Sequence, residues 1–171
     1  MSNVLVAYTT NSGSTAEVAE VVAGALRQKG HSVDIKECSS VGSLAAYDSV
    51  VIGAPMIIGW HSAARRFIRK HRVELTGRKV AYFACALSLT RTPAAAISTI
   101  PLTLDPGLVK DPARPGRINL HERFTTIDYY LKPMLSAATE VKPLGVAFFN
   151  GKLETYRLKW WQAVFVIVVV R

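Results

Sequence analysis

A chain of 171 residues, half of them hydrophobic, is long enough to bury one core and too apolar to be disordered. Its 21 Lys and Arg against 12 Asp and Glu give a net charge of +9, a field that draws nucleic acid, an anionic membrane surface or an anionic small molecule without choosing among them. Two lone cysteines, Cys38 and Cys85, exclude a disulfide framework and a metal cluster, and no apolar signal segment precedes the first strand, so a reducing cytoplasm is the expected location.

Residues 4–8 (Val-Leu-Val-Ala-Tyr) predict a buried first strand that empties into hydroxyls and one glycine. Thr9, Thr10, Asn11, Ser12, Ser14 and Thr15 supply side-chain donors, and Gly13 lets the backbone turn so that its N–H groups converge on an anion. A helix starting behind this loop adds its dipole and its unpaired N–H groups. The loop lacks the lysine of a nucleotide triphosphatase and the three spaced glycines of a dinucleotide site. That leaves a monophosphate, held by hydroxyls rather than by charge.

Residues 15–29 carry Ala16, Ala19, Val22, Ala23 and Leu26 at helical spacing, with Ser14 and Glu17 as an opening capping box and Gly30 as the stop. In residues 32–37, Val33 and Ile35 alternate with polar residues, as on a strand at or near a sheet edge. Residues 49–53 read as a second fully buried strand, which breaks into the apolar loop Ala54, Pro55, Met56, Ile57, Ile58, Gly59 and Trp60. Exposed Met, Ile and Trp beside a phosphate loop suit a flat apolar ring; the competing expectation is a hydrophobic crossover packed into the core. Residues 61–72 predict a helix with Ala63, Ala64, Phe67 and Ile68 inward and Arg65, Arg66, Arg69, Lys70 and Arg72 around the rest, a basic face that meets either water or a partner. His61 and His71 are read as surface or cap residues, since their spacing matches no metal motif.

Residues 79–86 predict a third buried strand, with Cys85 as a small hydrophobe, ending in a loop at 87–93. Four prolines and two glycines punctuate residues 100–116 too densely for a regular element, so a functional or mobile loop is expected there. Residues 120–139 resume helical character, with Pro133 kinking or dividing the helix, and residues 141–149 read as the last strand. The alternation predicts one α/β domain, a five-stranded parallel sheet with helices on both faces. A basic stretch at 151–159 leads to Trp160, Trp161 and an aliphatic run too short to cross a bilayer. This tail is either an interfacial anchor or a last core element. The chain contains no Ser-His-Asp set, paired carboxylate or metal constellation.

With these features the chain resembles the flavodoxin-like superfamily over nearly its whole length. The loop Thr10-Asn11-Ser12-Gly13-Ser14-Thr15 is similar to the S/T-x-T-G-x-T signature that holds the phosphate of FMN, with Ser12 in place of the central threonine. Within the superfamily it is most similar to the bacterial menaquinone-dependent, flavodoxin-type protoporphyrinogen oxidases of haem synthesis. That likeness rests on Gly53-Ala54, Gly59-Trp60-His61-Ser62-Ala63, the basic helix with Phe67, Lys70 and His71, Arg91-Thr92-Pro93, and Tyr156-Arg157-Leu158-Lys159-Trp160-Trp161.

The resemblance implies a doubly wound sheet of strand order 2-1-3-4-5, an FMN-binding domain over 1–157, and a missing last covering helix, with 158–171 a membrane-contact segment or a truncated helix. It implies FMN gripped at its phosphate by Thr9, Thr10, Asn11, Ser12, Gly13, Ser14 and Thr15, flanked by Ala54, Pro55, Met56, Ile57, Ile58, Gly59 and Trp60, and met by a third loop of Cys85, Ala86, Leu87, Ser88 and Arg91. The flavin does the chemistry, with no catalytic side chain and no metal. The implied partners are an anionic tetrapyrrole, a quinone and peripheral contact with an anionic membrane on its cytoplasmic face, with no nucleic acid. The alternatives are a flavodoxin-type electron carrier, which is typically acidic where this chain is basic, and a truncated, non-catalytic flavodoxin-fold scaffold.

Overall fold

The structure, a computed structural model, describes residues 1–11, 13–56, 59–91, 100–114 and 117–150, with Leu120 and His121 described through their backbone alone. Six strands form one parallel sheet: β1 (Asn3–Tyr8), β2 (Ser32–Glu37), β3 (Ser49–Met56), β4 (Lys79–Ala86), β6 (Leu102–Leu104) and β8 (Val146–Asn150), in the order β2-β1-β3-β4-β8-β6. A separate parallel pair joins β5 (Leu89–Thr90) to β7 (Val109–Lys110). The helices are α1 (Ser14–Gln28), α2 (Ser62–Lys70), α3 (Arg72–Thr76), α4 (Leu120–Arg123) and α5 (Ile127–Leu135).

The central strands are apolar on both faces because both faces are covered. Leu5 and Ala7 of β1, Val50 and Ile52 of β3, and Val80 and Tyr82 of β4 point to one side, where they pack with Ala64, Phe67 and Ile68 of α2 and Tyr130, Leu131 and Met134 of α5. Val4 and Val6, Val51, and Ala81, Phe83 and Cys85 point to the other, against Val18, Ala19, Val22, Ala23 and Leu26 of α1. β2 stands at the edge, as its alternating pattern predicts. Gly30, at φ 84°, closes α1 with its N–H on the Arg27 carbonyl at 2.9 Å.

β3 runs through the stretch expected to be loop, so Ala54, Pro55 and Met56 belong to the strand. A proline in a central strand normally breaks the ladder. Here the Gly53 carbonyl faces β1, where it accepts the Thr9 N–H at 3.0 Å; position 55 faces the same side, but β1 has already ended at Tyr8. The missing N–H of Pro55 therefore leaves no acceptor unpaired, and its carbonyl takes the N–H of His61 at 3.2 Å.

Two further expectations need correction. The punctuated stretch at 100–116 contains regular elements: β6 adds a sixth strand beside β8, and β7 pairs with β5. An edge strand of three residues needs only backbone pairing on one side, so Pro101 and Pro106 bracket it without entering it. The helical region at 120–139 divides at residues 124–126 rather than at Pro133. Thr126 starts α5 anew, its Oγ1 accepting the Tyr129 N–H at 3.2 Å, and Pro133 lies in the last turn, where little helix remains to disrupt. The expected missing last helix and the tail at 158–171 fall outside the described residues. His71 is a cap residue, as one of its two expected roles has it, standing between α2 and α3, and it is buried, its Nδ1 2.9 Å from Glu74 Oε1. That contact, with the Leu44 N–H on Oε2 at 2.9 Å, holds the Glu74 carboxyl below its ordinary pKa.

Gly53 pairs with Tyr8 on one side and Phe83 on the other, and the buried Phe83 ring occupies the space a side chain would need. A Cβ at Gly53 would stand 1.8 Å from Phe83 Cζ. Gly53→Ala is expected to lower stability by about 1–3 kcal/mol, and Phe83→Leu in the same chain to recover part of that loss. Urea denaturation of the two variants checks both; an unchanged midpoint for Gly53→Ala would contradict the packing.

Candidate functional site

The carboxyl ends of β1, β3 and β4 deliver three chain segments to one edge of the sheet, the position where open parallel sheets bind ligands. In the first segment Thr10 Oγ1 accepts the Gly13 N–H at 2.9 Å, so this hydroxyl shapes the turn as well as offering itself to a ligand. Gly13 stands at φ 93° with nothing within 4 Å of a Cβ built on it; conformation rather than space selects glycine. Its carbonyl accepts the N–H groups of Ala16 and Glu17 at 2.9 and 3.2 Å and starts α1.

Gly13, not Ser14, is therefore the N-cap, and no side chain caps the helix, which overturns the expected Ser14–Glu17 box. The consequence favours an anion: no side-chain oxygen at the cap competes for the donors of the first turn. Thr15, in that turn, is fully buried, and among the described residues its hydroxyl has only the Cys85 thiol, a weak partner, beside it. Asn11 is exposed, and Ser12 lies outside the described residues.

The second segment corrects the expectation of an exposed apolar platform. Met56 and Trp60 are each 1 % exposed, bridge one another, and belong to the core. The Trp60 ring packs on Tyr82 at a centroid distance of 5.2 Å. Gly59, at φ 77°, makes the reversal that brings Trp60 back over β3. Apolar residues after a buried strand read equally well as a platform or as packing, and here packing wins for these two; Ile57 and Ile58 lie outside the described residues. What Trp60 retains for a ligand is its indole Nε1, buried without a partner. His61 caps α2 as expected, its Nδ1 accepting the Ala63 N–H at 3.2 Å.

In the third segment Cys85 points to the α1 face with Phe83 and Phe149, and burial pushes its thiol up to about 12, so it is no nucleophile at neutral pH. Ala86 is buried on the opposite face, Leu87 is 75 % exposed, and Ser88 is half-buried. The Arg91 Nε pairs with Asp111 at 3.0 Å on the surface. Thr92 and Pro93 lie outside the described residues.

Among the described residues, two cavities along this edge stand out. One of about 230 Å3 is lined by Asn11, Pro55, Gly59, Trp60, His61, Ser62 and Arg65. The other, of about 450 Å3, is lined by Met56, Leu87, Ser88, Thr90, Lys110, Asp111, Ala113, Glu122, Thr125 and Tyr130. Arg65 and the residues from 110 onward are absent from the sites expected of the sequence. Nothing in the basic run distinguishes Arg65 from its neighbours except its place one turn after the helix start. The later residues reach the edge only because β5 and β7 pair. Among the described residues no group of three His, Cys, Asp or Glu could hold a metal ion, and no helix is long and apolar enough to cross a membrane.

Residues 5–171 match the flavodoxin domain family, and the chain belongs to it. Flavodoxin domains carry FMN, and FMN is the cofactor of this one. The Trp60 indole N–H, without a partner among the described residues, and the Thr15 hydroxyl, paired only with a weak thiol, fit that group, since a phosphate or a ribityl chain supplies stronger acceptors. Among relatives, 86 residues are 31 % identical to protoporphyrinogen IX dehydrogenase [quinone] of Escherichia coli K12, covering 48 % of each chain, with the same figures for the protein of strain O157:H7. The chain thus spans about half the length of these relatives. Among solved structures it is similar to the two-electron reduced flavodoxin of Megasphaera elsdenii (14 % identity, TM-score 0.59, 97 % of each chain). It is likewise similar to oxidised Flavodoxin 1 of Bacillus cereus (15 % identity, TM-score 0.58, 98 % of this chain and 97 % of that one). At these identities the structures show the fold.

Thr15→Val keeps the shape and removes the buried hydroxyl. It is expected to leave the melting temperature of the flavin-free chain unchanged or higher, because a weakly paired polar group is lost. The same substitution is expected to weaken FMN by roughly tenfold or more, the worth of one hydrogen bond to a charged group. A thermal melt of the flavin-free chain and a fluorescence titration with FMN check the two signs; loss of stability without loss of FMN would return Thr15 to a purely structural role.

Proposed function

We propose that the chain is an FMN-dependent oxidoreductase that oxidises protoporphyrinogen IX and passes the electrons to a quinone. The observation that carries this reading is the cavity of about 450 Å3 at the ends of β3 and β4. A pure electron carrier needs only contact at the flavin edge, whereas an enzyme needs room for a substrate beside it. The 86-residue likeness to the quinone-linked protoporphyrinogen IX dehydrogenases supports the choice of substrate and acceptor. The net charge of +9 has the sign that attracts both a porphyrinogen carboxylate and an anionic lipid surface.

The redox chemistry would be that of bound FMN, a two-electron, two-proton exchange by which the donor is oxidised and the quinone reduced to the quinol. The chain positions the partners. In this reading residues 9–15 hold the phosphate and the ends of β3 and β4 flank the ring. Met56 and the exposed Leu87 give the larger cavity an apolar wall, while Ser88, Thr90, Thr125 and Tyr130 give it hydroxyls. Of the charged residues there, Asp111 is tied to Arg91 and Glu122 accepts the N–H groups of Ala113 and Asn119, each at 2.7 Å, which leaves Lys110 as the cation suited to a propionate. Residues 1–157 form the flavin domain in this reading, and the aromatic, aliphatic run at 158–171 contacts the membrane that holds the quinone.

Oxidation of protoporphyrinogen by the FMN-loaded full chain, followed as porphyrin fluorescence, is expected to require a menaquinone analogue. Lys110→Glu is expected to raise the apparent KM for the porphyrinogen by about threefold to tenfold, the worth of one exposed charge contact, with kcat little changed. A chain that binds FMN and accepts electrons from a reductase without oxidising the porphyrinogen would be an electron carrier. One that binds no FMN would be a scaffold.

A further inference from the structure

The loop at 9–15 contains no cation, yet the cavity beside Asn11 is lined by one, Arg65. Arg65 lies one turn into α2, its backbone N–H on the His61 carbonyl at 3.3 Å. Its Nε is buried without a hydrogen-bond partner, and the guanidinium makes no ion pair among the described residues. The other basic residues of this helix are spent differently: Arg66 and Arg69 are exposed, and Lys70 Nζ reaches the Val41 carbonyl at 3.4 Å.

A second donor stands at the same place. Trp60, 1 % exposed, lines this cavity, and its indole Nε1–H is likewise unpartnered. Buried donors left unmade are costly, and one attached to a cation more so. Among the described residues no Asp or Glu lines the cavity to satisfy them. Trp60 and Arg65 thus line, with Asn11 of the loop that ends β1, a cavity beside two buried N–H donors, one of them on a cation, that lack an acceptor. An anion with several oxygens, able to accept from Arg, indole and backbone N–H together, meets all of these requirements, and phosphate is the small group that does so.

We propose that Arg65, together with the Trp60 indole N–H, forms the charged half of the phosphate site, gripping the flavin phosphate from the α2 side while residues 9–15 hold it from the α1 side. The proposal rests on the reading of residues 9–15 as the flavin phosphate loop. It corrects the expectation of a site held by hydroxyls alone, and it gives the site two properties that hydroxyls lack. FMN affinity falls with ionic strength, because a guanidinium–phosphate contact open to solvent on one side is screened. The contribution of Arg65 also vanishes for riboflavin, which has no phosphate.

The test uses the full chain freed of flavin and titrated with FMN and with riboflavin, at low and high salt, in the wild type and in Arg65→Gln, Arg65→Lys and Arg66→Gln. Arg65→Gln is expected to weaken FMN by about tenfold to a hundredfold, the range of a charged hydrogen bond, to flatten the salt dependence, and to leave riboflavin unchanged. Arg65→Lys keeps the charge and is expected to retain salt dependence at reduced affinity; it serves alone if Arg65→Gln does not fold. Arg66→Gln is expected to bind both flavins like the wild type.

Equal weakening of FMN and riboflavin by Arg65→Gln, unchanged FMN affinity, or a loss of salt dependence in Arg65→Lys would each overturn the proposal. Inorganic phosphate separates one shared site from two. Competition with FMN in the wild type, weakened in Arg65→Gln, supports a shared site, whereas Arg65-dependent phosphate binding to the FMN-saturated chain overturns it. These readouts are affinities, so failure to oxidise protoporphyrinogen would sink the proposed activity and leave this result standing.

Discussion

The functional edge depends on the absence of a side chain at Gly53. At this rung β1, β3 and β4 lie in register, Tyr8 against Gly53 against Phe83, and the Thr9 N–H closes the β1 ladder on the Gly53 carbonyl. The Phe83 ring fills the volume over Gly53, packs edge-on with Phe149 at 6.0 Å, and belongs to the core under α1. Because β1 stops there while β3 and β4 run on to Met56 and Ala86, a step forms at the carboxyl end of the sheet. The loop at 9–15 sits on the lower side of that step and the segments after β3 and β4 on the upper side. The same step makes Pro55 tolerable and turns its carbonyl toward the start of α2.

Around this step the polar groups divide into those spent on building the site and those left over. The Thr10 hydroxyl, the Gly13 carbonyl, the Pro55 carbonyl and the His61 imidazole all have partners within the chain, and they hold the loop and two helix starts in place. Among the described residues the Trp60 indole and the Arg65 Nε are buried with none, and the Thr15 hydroxyl has only the Cys85 thiol beside it. A folded chain keeps few such groups, since each costs on the order of 1–3 kcal/mol unpaired. Two of them, on Trp60 and Arg65, belong to residues that line one cavity, as expected where a ligand completes the structure, and FMN is the ligand of this family.

The order of the elements was legible because it rests on short-range pattern: apolar runs bounded by glycine, and α1 with its apolar stripe. What was less legible involves contacts distant along the chain. β6 is three residues long and owes its existence to pairing with β8, far from it in sequence. Met56 and Trp60 fit both a platform and a packed crossover, because a sequence does not say which side of a step an apolar residue falls on; burial decides for the crossover. Arg65 was hidden among five basic residues, four of which face water. The loop at 9–15 stood out in the sequence by its hydroxyls and its glycine, while the residues of the larger cavity came from segments that only the β5–β7 pair brings to the edge.

Function follows the same division. The flavodoxin fold and its cofactor are family properties, and on this chain two cavities accompany them, one beside Arg65 of α2 and a larger one between β4 and the segment after β7. The central claim is that the buried unpaired donors exist to receive a phosphorylated flavin. Comparing FMN with riboflavin on the wild-type chain tests it most directly. The account predicts one FMN bound per chain, with a preference over riboflavin of about a hundredfold or more, the sum of at least two charged hydrogen bonds. Equal affinity for the two flavins, or no flavin binding, would contradict it.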